Sequence, residues 1–148
     1  MLKKYFVMNS HSEIKHKVIL DTSILMYSVN LKLDLVIEIK ELLEGTQKLI
    51  VPSMVIDELR SIASHLGKRG SEAKITLKLV EELLSKGTFH MLDVKADNIN
   101  DIDRLLLNLC ERMGAYLATA DLRLKKKAIK RGIKVIYPRK SKRKLMIS

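Results

Sequence analysis

Four acidic residues stand where apolar runs of the chain give out. Asp21 closes "KVIL", Glu58 lies in "SMVIDEL" after the apolar "KLIVP", Asp103 sits near the start of "INDIDRLLLNLCERMG", and Asp121 follows "AYLATA". Carboxylates brought close together repel unless a cation sits among them. Donors that are all oxygen suit hard divalent ions, so the chemistry such a group would do is that of Mg²⁺ or Mn²⁺. The sequence around the four offers no obvious counter-cation. Taken singly, an acid at such a position is more often a helix cap or a first-turn partner of the helix macrodipole than a ligand. A site exists only if the fold gathers them.

The elements that would do so are legible as alternating strand-like and helix-like runs from Lys17 onward, the pattern of βαβ units around a parallel sheet. "KVILD" reads as the first strand and "SILMYSV" as the start of a helix; "LDLVIEIKELLEG" is a helix stopped by Gly45. "KLIVP" is the second strand, ended by Pro52, after which Ser53 is placed to cap "MVIDELRSIASHL". "GSEAKITLKLVEELLSKG" is a helix bounded by Gly70 and Gly87. "FHMLDV" follows as the third strand, then a helix closed by Gly114, and "AYLAT" as the fourth strand. The basic helix "DLRLKKKAIKRG" leads to a fifth strand, "IKVIY", and a basic end, "PRKSKRKLMIS".

Strands of a parallel sheet all run toward one edge, and the crossover helices begin there, so residues that end a strand or open the next helix meet at that carboxyl edge. All four acids belong to it. At about 100° per residue, Val55, Leu59, Ile62 and Leu66 form one stripe, with Glu58 about 60° from its centre and Asp57 nearly opposite. Ile102, Leu106, Leu109, Cys110 and Met113 form another, with Asp103 about 60° away and Asp101 more than twice as far round. Glu58 and Asp103 are therefore chosen over Asp57 and Asp101, although fraying at a helix start would bring Asp101 into reach.

Composition bounds the partner. The 148 residues carry a formal charge of +11, which favours a polyanion such as nucleic acid over an anionic membrane surface. No run approaches the ~20 apolar residues of a membrane span, and "MLKKYFVMNSHSEIK" is too short in apolar core for a secretory signal, so a cytoplasmic protein without a membrane partner is expected. The lone Cys110 has no disulfide partner, lacks the further sulfurs of a thiolate zinc site and falls on an apolar stripe, where it reads as a core residue. None of His11, His16, His65 and His90 falls at the acidic edge, so a metal-free histidine mechanism lacks its parts.

"VILDTSILMY", "VPSMVIDEL" and "DRLLLNLCERMGAYLATADLRL" resemble, in order and spacing, the three acidic blocks of PIN-domain nucleases, over nearly the whole chain from Lys17 to Tyr137. The resemblance implies an α/β fold, a single three-layer α/β/α domain with a parallel five-stranded sheet in the order 3-2-1-4-5. It implies an N-terminal extension over 1–16, the PIN domain over 17–138 and a basic C-terminal tail over 139–148. Asp21, Glu58, Asp103 and Asp121 would be the catalytic and metal-holding acids, binding one or two Mg²⁺ or Mn²⁺ ions. Thr22, Ser23 and Thr119 would orient carboxylates or waters, though as turn and strand-end hydroxyls they are equally well explained. The family pattern often has a polar residue where this chain has Ala120, which puts one minor contact in doubt. The implied reaction is metal-dependent hydrolysis of RNA phosphodiesters leaving a 5′-phosphate.

The basic end adds a substrate track. No acid follows Asp121, while Arg123, Lys125, Lys126, Lys127, Lys130, Arg131, Lys134, Arg139, Lys140, Lys142, Arg143 and Lys144 do. These are expected to bind RNA phosphates, and with no Trp, four Tyr and two Phe, recognition should rest on backbone and shape rather than base stacking. The same end resembles the archaeal and eukaryotic PIN branch that processes ribosomal RNA, which implies an endonuclease acting on a ribosomal precursor. Two alternatives stand beside it: a toxin-type PIN ribonuclease held by an antitoxin partner, and a PIN-like RNA-binding module without catalysis. A homodimer is left open.

Overall fold

The computed structural model describes residues 14–140 and 143–148, apart from the side chain of Ile99; Lys142 and residues 1–13 of the expected N-terminal extension lie outside the described residues. The chain runs β1 (Ile14–Leu20), α1 (Thr22–Asn30), α2 (Leu35–Leu42), β2 (Thr46–Pro52), α3 (Ser53–Ala63), α4 (Lys68–Ser85) and β3 (Phe89–Leu92). A 3-10 turn (Ile99–Asp101) then opens α5 (Ile102–Met113), followed by β4 (Tyr116–Ala118), α6 (Leu122–Lys130), β5 (Val135–Pro138) and β6 (Leu145–Ile147). The sheet order is β3-β2-β1-β4-β5-β6, with helices on both faces. The first five strands pair in parallel in the expected order 3-2-1-4-5.

β1 is central because its apolar run can be buried on both sides. Val18, Ile19 and Leu20 are fully buried, as are Val51, Leu117, Val135 and Ile136 from the neighbouring strands. β1 connects onward to β2 on one side while β4 connects to β5 on the other, so the chain reverses its direction of winding between β1 and β4. That reversal opens a crevice at the carboxyl edge. Leu20 is in register with Ala118, which sets Asp21 level with Thr119, and the Asp21 N–H donates to the Ala118 carbonyl at 3.2 Å.

The structure departs from the sequence expectations in several places. β1 begins at Ile14 rather than Lys17, so residues 14–16 of the expected N-terminal extension belong to the sheet; its first residues are largely exposed and carry no apolar run to mark them. A sixth strand, β6, pairs antiparallel with β5, so residues 145–147 of the basic end belong to the sheet. The pattern was missed because "LMI" is short and set among lysines and arginines. Ser53 is the first residue of α3 and makes no cap bond. Its hydroxyl instead accepts from the Val94 N–H at 2.7 Å and donates to the Val94 carbonyl, fastening the β3–α5 connection to α3. α3 ends at Ala63, and Leu66, expected on its apolar stripe, is 97% exposed in the turn beyond. α4 begins after Gly67, whose φ of 98° suits glycine, and Gly70 lies inside the helix, where a Cβ would stand 1.9 Å from the His65 carbonyl oxygen. Gly70 is thus required by the close approach of the α3–α4 turn and does not mark a boundary.

Candidate functional site

Asp21 is 4% exposed, at the junction of β1 and α1. Its Oδ1 accepts from the Ile24 N–H at 2.8 Å and caps α1, Ser23 Oγ lies 2.8 and 3.0 Å from its two oxygens, and Thr119 Oγ1 donates to Oδ2. The two hydroxyls also accept backbone bonds: Ser23 Oγ from the Ala120 N–H across the crevice at 2.9 Å, and Thr119 Oγ1 from the Asp121 N–H of its own turn at 3.0 Å. Strand β4 and the turn into α6 are thereby tied to the Asp21 carboxylate.

Asp121 caps α6, and both of its cap bonds, from the N–H groups of Arg123 and Leu124, fall on Oδ1. Thr22 Oγ1 donates to Glu58 Oε1 and holds that side chain from α3 toward the start of α1. Asp103 is partly buried on α5. All four acids line one cleft of about 360 Å³. Asp57 is exposed and 3.5 Å from Arg60, and Asp101 pairs with Arg104 at 3.1 Å; neither lines this cleft.

The electrostatics follow from burial and proximity. Burial pushes the Asp21 carboxyl up to about 6, against the hydrogen bonds from Thr119, Ile24 and Ser23, and the charge of Asp121 adds to the rise. Asp103 is also raised, by burial and by Asp121, while Lys127 and Arg123 pull it back. Asp21, Asp103 and Asp121 therefore share one field. The expectation of no counter-cation is corrected here: Arg69 lines the cleft, and Arg123 and Lys127 act on Asp103. Arg69 and a fifth acid, Glu72, escaped the sequence reading because α4 does not begin directly after a strand, and only its packing along α3 brings its first turns over the cleft. Cys110 is buried, its thiol pushed up to about 12, as suits a core residue.

The donor set is all oxygen. Among the described residues, no three His, Cys, Asp or Glu side chains lie close enough together to hold one metal ion. Carboxylates spread along a cleft wall fit a small hard ion such as Mg²⁺, which takes one or two carboxylates and keeps several of its waters, better than an ion that demands a full protein shell.

The basic residues divide. Arg123 and Lys127, on α6 just after Asp121, are near enough to Asp103 to oppose the rise in its pKa. Lys125 lies over the Tyr137 ring, 3.5 Å from its centroid. Lys126 and Lys130 are exposed on α6, and Arg139, Lys140, Arg143 and Lys144 are exposed in the β5–β6 connection. Arg131 sits elsewhere. At the far end of α6 it donates to Asn108 at 2.9 Å and pairs with Glu111 at 3.1 Å. With Lys134 it lines a separate depression at the amino ends of β4 and β5, so the expected track does not reach it as one strip.

The PIN-like domain model matches residues 18–141. Ribonuclease VapC9 of Archaeoglobus fulgidus is 32% identical over 126 residues, covering 84% of this chain and 84% of that protein. Among solved structures, the PIN domain endonuclease Utp24 superposes with a TM-score of 0.66 at 19% identity, over 89% of this chain and 90% of that one. A domain of a functionally unknown protein from Methanocaldococcus jannaschii superposes with a TM-score of 0.64 at 18% identity, over 86% of this chain and 94% of that one. The two structural likenesses are likenesses of fold.

Proposed function

Because the chain belongs to the PIN-like domain family, we propose that it is a metal-dependent endoribonuclease that hydrolyses RNA phosphodiester bonds. The observation that carries this reading is the meeting of Asp21, Glu58, Asp103 and Asp121, from four separate elements, along one cleft beside a crossover of the sheet. These acids would hold one or two Mg²⁺ or Mn²⁺ ions. Such an ion supplies water activation and neutralises charge on the phosphate. Asp21 is fixed for that task by Ser23, Thr119 and the Ile24 N–H, which leave its carboxylate little freedom to turn. Thr22 orients Glu58 in the same way. Arg123 and Lys127 at the Asp103 wall oppose the repulsion between an acidic cleft and a polyanion.

The exposed cations after Asp121 support an RNA substrate, and a ribosomal precursor in the cytoplasm is the one proposed. Among the described residues no helix is long and apolar enough to cross a membrane. The identity to a protein named ribonuclease VapC9 favours a second reading, a toxin-type enzyme with an antitoxin partner.

Incubating the purified chain with ribosomal and non-ribosomal RNA in Mg²⁺, Mn²⁺ or chelator tests both. Metal-dependent cleavage with 5′-phosphate products is expected, abolished by Asp21→Asn and by Asp121→Asn while circular dichroism is unchanged. Full activity in both variants would refute the assignment. Growth arrest on expression, relieved by a small neighbouring gene product, would select the toxin-type reading.

A further inference from the structure

The cleft that must receive a phosphodiester is lined by five carboxylates, Asp21, Glu58, Glu72, Asp103 and Asp121, and by one cation, Arg69. Arg69 stands in the first turn of α4, next to Lys68, with no acidic residue in that turn and no side-chain cap. A cation there faces the positive end of the helix macrodipole, which disfavours it. Arginine is a good helix former, but neither capping nor packing calls for it at this position: Arg69 is exposed, and no ion pair among the described residues involves it. What sets it apart is its place on the wall of the cleft, among five carboxylates whose repulsion it offsets.

Its location supplies the reason. Arg123 and Lys127 lie on the α6 side of the cleft, near enough to Asp103 to lower its pKa, whereas Arg69 comes from α4, a helix packed against α3 and α1. The cations thus bracket the acids from two sides. We propose that Arg69 is a phosphate-binding residue for single-stranded RNA, and that the backbone crosses the carboxyl edge of the sheet from α4 to α6. On that path the guanidinium takes one phosphate on the α4 side of the acids, while Arg123 and Lys127 take phosphates on the α6 side. The planar fork of arginine suits two oxygens of one phosphate, a pairing a lysine does not reproduce.

This inference rests on the proposed RNA hydrolysis, and the experiment separates the two. Binding of a fluorescently labelled, mixed-sequence single-stranded RNA is measured in chelator, where no cleavage occurs, for the wild type, Arg69→Ala, Arg69→Lys and Lys78→Ala. Lys78 is an exposed cation on the same helix, outside the cleft. Arg69→Ala should weaken binding about tenfold at low salt and lower the slope of log affinity against log salt by about 0.7, the value for one phosphate contact on a single strand. Arg69→Lys should keep the slope and recover only part of the affinity, and Lys78→Ala should bind as the wild type. Arg69→Ala should keep the wild-type circular dichroism, and any change in its Tm in chelator reports the repulsion among the cleft acids that Arg69 offsets, not RNA contact. Wild-type binding by Arg69→Ala, or an equal loss in Lys78→Ala, would overturn the assignment. Failure of the wild type to cleave any RNA with Mg²⁺ or Mn²⁺ would instead sink the hydrolase reading and leave the Arg69 result standing.

Discussion

Asp21→Asn in the metal-free protein turns the burial of one carboxylate into a measurable free energy. The Asp21 carboxyl moves from its ordinary 3.8 to about 6 in the fold, and at ~1.4 kcal/mol per pH unit this gap amounts to about 3 kcal/mol. The sign follows from proton counting. Between the two values the native state holds a proton that the unfolded state has lost, so stability falls as pH rises through that interval, and the full cost is present at neutral pH. Asparagine cannot ionise and escapes the cost, though its amide fits the donors Ile24, Ser23 and Thr119 less well, a loss of about 1 kcal/mol. At pH 7 the variant should therefore be more stable than the wild type by about 2 kcal/mol. The hydrogen-bond loss does not depend on pH, so it cancels when the stability difference is compared near pH 4.5 and pH 7. That comparison should show a change of about 2 kcal/mol in favour of asparagine at the higher pH. Urea unfolding in chelator at the two pH values measures it, and other acids cancel between the two proteins. A difference that stays flat with pH, or one that grows toward acid, would refute the claim that burial dominates over the three hydrogen bonds.

Mn²⁺ should raise the Tm of the wild type, because it binds the assembled cleft better than the unfolded chain, and should raise that of Asp121→Asn much less; thermal melts with and without metal test this, and equal shifts would show that Asp121 holds no ion. Glu58→Gln should abolish cleavage while Asp57→Asn, an exposed residue beside Arg60, should remain close to wild type in the same RNA assay; the reverse pattern would show that the wrong face of α3 had been assigned to the cleft. Replacing Arg139, Lys140, Arg143 and Lys144 by serine should lower the salt slope of RNA binding by about 2 to 3 with little change in the cleavage rate on saturating RNA. An unchanged slope would mean that these cations do not contact phosphates.

The strands could be read from their apolar runs, most plainly the fully buried Val18, Ile19 and Leu20 of β1, whereas their order was legible only through the resemblance of the three acidic blocks to PIN-domain nucleases. The faces of α3 and α5 were legible from their apolar residues: a buried stripe such as Val55 and Leu59, or Leu106 and Cys110, fixes by rotation where Glu58 and Asp103 project. β6 was not legible, since three residues bounded by cations carry no period, and its pairing depends on an edge that exists only once β5 is in place. Gly70 misled for a related reason. A glycine in a helical pattern reads as punctuation, but here it answers a contact with the His65 carbonyl oxygen that belongs to tertiary structure. Arg69 and Glu72 lay beyond reach because their part in the cleft comes from the packing of α4 on α3 rather than from any strand end.

The return of β6 to β5 fixes the chain on either side of Arg139, Lys140, Arg143 and Lys144: the Arg139 N–H donates to the Lys144 carbonyl at 2.8 Å, and the Val135 N–H donates to Ser148 Oγ at 3.0 Å. A free basic tail would lose its conformational freedom at the moment it met RNA, and that loss would be subtracted from the affinity of every cation in it. Closure by the sheet takes much of this loss during folding instead. As the proposed RNA contacts, Arg139, Lys140, Arg143 and Lys144 would meet the ligand already held at one effective concentration, so their contributions should be correlated, the first contact making the next three less costly. On that proposal, a chain in which β6 failed to pair would keep every one of these charges and still bind RNA more weakly.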